Sequence, residues 1–70
     1  MHHPITADTR RITLAQNYDY LDAGRPYLAT PRGDYVRVDR LDGSSGTFLR
    51  LWQWRQLLDG AAGAVITAAA

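Results

Sequence analysis

Residues 35 to 60, YVRVDRLDGSSGTFLRLWQWRQLLDG, alternate between apolar and polar side chains in two stretches and then stop doing so. In the first stretch Val36 and Val38 share one side, and Tyr35, Arg37 and Asp39 share the other. In the second, Leu49 and Leu51 lie opposite Phe48 and Arg50. A period of two is the mark of a strand with one buried face. Asp42-Gly43 between the stretches is a strong hairpin signal, and Gly46 adds a second flexible position. Beyond residue 51 the period lengthens: Leu51, Trp54, Leu57 and Leu58 form one helical stripe, and Asp59-Gly60 ends it with glycine at the C′ position. The pattern predicts a hairpin running into a helix from about residue 52 to about residue 60. No Ser, Thr, Asp or Asn stands at its start as a cap, and LWQW also fits a strand with both tryptophans on one side.

Upstream, RRITLAQ alternates, with Ile12 and Leu14 against Arg11, Thr13 and Ala15, and reads as a half-buried strand. NYDYLDAGRP is turn chemistry; its carboxylates lack the spacing and the bidentate glutamate of a calcium loop. YLAT is read as a short strand with Leu28 and Thr30 on one side and Tyr27 and Ala29 on the other. PRGD follows as a tight turn; its Arg32-Gly33-Asp34 also spells a tripeptide of integrin-binding ligands, but the turn accounts for it. Residues 1 to 9 are expected to form a loose lead-in, where adjacent His2 and His3 have no third ligand nearby. For residues 61 to 70, alanine favours helix while Gly63, Val65 and Ile66 oppose it, so this tail is expected to extend the helix, pack on it or stay flexible.

Seventy residues make one small domain, near the lower limit for an unaided core. With 46% hydrophobic and 21% charged residues the chain is globular, and with no cysteine it has no disulfide or thiolate chemistry. No apolar run is long enough to span a bilayer and no signal-peptide pattern opens the chain, so a cytoplasmic bacterial or phage setting without membrane contact is expected. All eight basic residues are arginine and all seven acidic ones aspartate. The net charge of +1 gives no general attraction to polyanions.

The expected fold is therefore α+β: a four-stranded antiparallel sheet with one C-terminal helix packed on one face. Ile12, Leu14, Leu28, Val36, Val38, Leu49 and Leu51 would meet Trp54, Leu57 and Leu58. The opposite face would carry Arg11, Thr13, Tyr27, Tyr35, Arg37, Asp39, Phe48 and Arg50, with Trp52 at its edge. Tyr35, Arg37, Phe48 and Arg50 belong to one hairpin and should be neighbours, with Asp39 neutralising Arg37.

Exposed aromatics beside arginine suit two kinds of partner. Tyr, Trp and Arg are the residues of protein-interface hot spots, which favours a protein partner or a homodimer. Flat rings that stack on unpaired bases, with guanidiniums for phosphates, would equally serve single-stranded nucleic acid. Catalysis is not expected: there is no glutamate, histidine occurs only at positions 2 and 3, and Ser44 and Ser45 sit in a hairpin loop. GSSG lacks the lysine and helix of a phosphate-cradling loop, and neither cofactor nor small-molecule substrate is implied.

Val36, Val38, Asp42, Gly46, Leu49, Leu51, Trp54 and Leu58 are also the positions at which residues 35 to 60 resemble a small actinobacterial domain of unknown function encoded beside helix-turn-helix regulators. The order of four strands and a helix resembles the positive-cofactor type of transcriptional coactivator, which dimerises and grips single-stranded DNA. These resemblances imply a regulatory role in transcription. The chain departs from them where Trp52-Gln53 replaces a polar helix start and where an amino-terminal tryptophan motif is missing.

Overall fold

The computed structural model describes residues 8–43 and 46–69, so His2, His3, Ser44 and Ser45 lie outside the described residues. Its elements are β1 (Arg10–Thr13), β2 (Tyr27–Arg32), β3 (Tyr35–Arg40), β4 (Gly46–Arg50), α1 (Leu51–Leu58) and β5 (Val65–Ala68). The sheet has five strands in the order β4-β3-β2-β1-β5, and every neighbouring pair is antiparallel. The small α+β domain with one helix on an antiparallel sheet is as the sequence predicts. The strand number is not: the fifth strand comes from the alanine-rich tail, and the helix precedes it instead of closing the chain.

The helix starts directly after Arg50, without a capping side chain of the usual kind. The backbone N–H of Arg50 donates instead to Gln53 Oε1 at 2.9 Å, half of a reciprocal capping box. Arginine has no acceptor atom, so the other half cannot form. Gln53 Nε2 donates onward to Asp19 Oδ2 at 3.3 Å, and Tyr18 Oη donates to Gln56 Oε1 at 2.7 Å. The long β1–β2 connection is thereby fastened along the helix. Partial burial, and after it the Asp19 charge, raises the Tyr18 phenol above its ordinary pKa, which keeps it a donor.

Ile12, Leu14, Val36, Val38, Leu49, Trp54 and Leu57 meet in the core as their spacing predicts. Three further members, Leu21, Tyr27 and Ala29, were not expected there. Ala29 stands opposite Val38 and Tyr27 opposite Ile12, so both share the covered face, and Leu28 is turned to the other side with Thr30. The assignment of Tyr27 to the open face is therefore reversed. Its hydroxyl accepts the Asp22 backbone N–H at 2.8 Å, which satisfies the polar tip of a buried ring. Leu58 also departs from the expected stripe: α1 is only eight residues long, and its last leucine is 54% exposed while Leu57 is buried.

A short 3-10 turn, Ala61–Gly63, carries the chain from α1 back to the sheet. The Ala62 carbonyl accepts the backbone N–H groups of Ala15 and Gln16 at 2.9 and 3.1 Å, docking the turn beside the end of β1. β5 then pairs with β1 along its whole length, from Thr13↔Val65 to Arg10↔Ala68.

Candidate recognition face

The helix covers one side of the sheet, and the other side of the β3–β4 hairpin faces outward. Pairing sets Tyr35 directly opposite Arg50 and Arg37 directly opposite Phe48. Tyr35 and Phe48 are then diagonal neighbours, a separation that aromatic side chains can bridge. Their rings meet edge to face, with centroids 5.8 Å apart and planes at 70°. Tyr35 is 43% exposed and Phe48 67%, so the pair is a surface feature and not part of the core.

The arginines differ in their surroundings. Arg37 Nε donates to both carboxylate oxygens of Asp39, at 3.2 and 3.1 Å. About half of the Arg37 side chain is exposed, so the pair contributes only about 0.2–1 kcal/mol. Its main effect is positional, because the nearly buried Asp39 holds the guanidinium beside Phe48. Gly46 makes this possible. It stands opposite Asp39 in the register, and a Cβ there would lie 2.5 Å from Asp39 Oδ1. The sequence suggests a flexible loop glycine at this position; the structure places it in β4 with an ordinary backbone, where what matters is the missing side chain.

Arg50 serves two elements, closing β4 and preceding the first turn of α1. Among the described residues its guanidinium has no carboxylate partner. Together with Asp34, Tyr35, Arg37, Thr47 and Phe48 it lines a shallow depression of about 410 Å³. Asp34, read from sequence as the end of the PRGD turn and the first residue of the strand DYVRVDRL, 34 to 41, is thus part of the site; its place immediately before Tyr35 was the available signal. Of the charged residues that line it, Asp34 offsets one arginine, and Asp39, outside the lining, engages Arg37.

The remaining predicted surface residues do not join it. Tyr27 is in the core. Arg11 is exposed on the open face but sits on β1, two strands from β3, between Leu28 and Thr67. Trp52 is 57% exposed on the first turn of α1 and does not line the depression. Among the described residues no three His, Asp or Glu side chains gather as metal ligands, and no helix is long and apolar enough to cross a membrane. No protein family, curated protein or solved structure matches the chain.

Proposed function

We propose that the chain is a small non-catalytic interaction module that binds a protein partner through the open face of the β3–β4 hairpin, in a regulatory role. The observation that carries this reading is the exposed Tyr35–Phe48 ring pair set in a depression beside two arginines, one of them held by Asp39. Rigid aromatic area beside arginine is typical of the centre of protein interfaces. Within the depression the aspartates offset much of the positive charge that a phosphate backbone would need, although Arg32, opposite Tyr35, adds another guanidinium to the same face. Single-stranded nucleic acid is the competing reading, because the rings remain free to stack.

Titration with a labelled oligothymidylate of about 20 nucleotides, at about 50 and about 200 mM salt, separates the two. The protein reading expects no saturable binding at either salt concentration. Binding that weakens with salt and is lost in the double variant Arg37→Ala/Arg50→Ala would replace it with the nucleic-acid reading. On the protein side, a photo-crosslinking residue in place of Phe48 should yield a discrete protein adduct in bacterial lysate that Tyr35→Ser abolishes. An adduct indifferent to Tyr35→Ser contradicts the assignment of this face.

A further inference from the structure

We propose that two copies of the chain join through the outer edge of β5, pairing antiparallel about a twofold axis to form one continuous ten-stranded sheet. This goes beyond the hairpin reading and concerns the opposite end of the sheet.

β5 is a sheet edge with β1 as its only neighbour among the described strands. A strand edge is a row of unpaired N–H and C=O groups, and monomeric proteins guard it with charge, proline, bulges or a covering element. None of the first three is present here. Residues 60 to 69 contain no charged residue and no proline, and the β1–β5 register runs without a bulge. The other edge, β4, ends in Arg50 and leads straight into α1.

Which groups point outward follows from Pro31. It lies in β2 opposite Val36 and has no N–H to give to β3. The two-residue turn Gly33-Asp34, closed by Arg32 opposite Tyr35, agrees in setting Arg32, Thr30 and Leu28 as the bonding residues toward β3. Alternation then turns the backbone groups of Tyr27 and Ala29 toward β1. On β1, Ile12 and Arg10 answer them, leaving Arg11 and Thr13 to face β5. Thr67 and Val65 bond to those two, so the N–H and C=O groups of Ile66 and Ala68 face away from the sheet.

A second copy fits this edge. A twofold axis perpendicular to the sheet keeps covered and open faces aligned, which requires residues of like parity to pair. Centred on Ile66, it sets Ile66 against its counterpart, Val65 against Thr67, and Ala64 against Ala68. All are small or β-branched and uncharged, so the strand is complementary to itself. Ile66 exchanges two hydrogen bonds with its counterpart. Each Ala68 N–H reaches the Ala64 carbonyl of the other copy, while the Ala64 N–H remains bonded to Ala61 at 3.1 Å.

Side chains support the same edge. On the covered side a groove of about 450 Å³ runs between α1 and β5, lined by Leu57, Leu58, Ala64, Ile66 and Ala68 together with Arg10 and Thr67. It accounts for the outward Leu58: this leucine flanks the strand edge that the second copy would extend. Four residues cover only about 14 Å of edge, below a standard interface, so the dimer is expected in the weak range, with a Kd between about 10 μM and about 1 mM. Both hairpin depressions then lie on the same side of the sheet, about eight strand spacings or about 38 Å apart, which would make the module bivalent.

Sedimentation and amide exchange by NMR, at about 20 μM and about 1 mM protein, test the proposal within the predicted affinity range. The mass is expected to rise from that of the 7.8 kDa chain toward twice that value. The Ile66 and Ala68 amides should gain protection with concentration, while those of Val65 and Thr67 are protected at both. Ala68→Pro, at the end of β5, removes an outward donor and is expected to abolish the dimer. Leu58→Asp, at an exposed site, should weaken it by about tenfold or more with melting unchanged. A monomer at about 1 mM overturns the proposal, as does a dimer that survives both substitutions. A dimer whose concentration-dependent shifts map to Tyr35 and Phe48 also overturns it, and would instead identify the hairpin face as the self-association site.

Discussion

Trp54→Ala is expected to lower the melting midpoint by about 15–30 °C, enough to leave much of the protein unfolded at room temperature. Trp54 is 5% exposed and belongs to the core shared by α1 and the sheet. Truncating a buried tryptophan costs about 3–5 kcal/mol, through lost transfer energy and the cavity left behind. A 70-residue domain has only about 4–10 kcal/mol in total. Trp52, two residues earlier and mostly exposed, provides the control: Trp52→Ala should change stability by about 0.5 kcal/mol or less. Thermal unfolding followed by circular dichroism compares the two directly. Equal effects would mean that the helix is rotated from the orientation described.

Gly63→Ala is the second large effect, expected to cost about 2–4 kcal/mol. Two causes act at one position. Gly63 has φ +63°, in the left-handed region where a Cβ is strained, and a Cβ there would lie 2.7 Å from the Cβ of Ala15. Relief requires the turn to move away from β1, loosening the bonds from Ala15 and Gln16 to the Ala62 carbonyl that place β5. Gly24→Ala separates the causes, because φ is +76° and nothing lies within 4 Å of the added methyl. That variant should lose only the strain, about 1 kcal/mol. Denaturant unfolding that gives the same loss for both would show that the 60–64 turn does not pack against residue 15.

The contrast between Trp54 and Trp52 also shows what local sequence could reveal. β3 and β4 each have one covered and one outward side, so alternation was sufficient to pair Tyr35 with Phe48 and Arg37 with Asp39. In β2, Tyr27, Leu28 and Ala29 are apolar at both parities, and alternation cannot choose a face. The choice comes from the Asp22 N–H that receives the Tyr27 hydroxyl and from the match of Ala29 to Val38, neither of which is a pattern within the strand. Leu21 lies within a turn-rich segment, where burial depends on the bridge Tyr18↔Leu21 and on docking to the rest of the core. β5 pairs with β1 across more than fifty residues, so four residues embedded in alanine carry no local sign of it. The role of Gly46 likewise depends on its cross-strand neighbour Asp39.

Hydroxyl-radical footprinting of the aromatic side chains, read by mass spectrometry, tests most directly the claim that the β3–β4 hairpin is covered on its helix side and open on the other. Phe48, Tyr35 and Trp52 should oxidise rapidly, while Tyr27 and Trp54 are spared until the protein unfolds. Oxidation of Tyr27 and Trp54 in the folded protein at the rate of Phe48 would contradict the account, and the recognition face would have to be sought elsewhere.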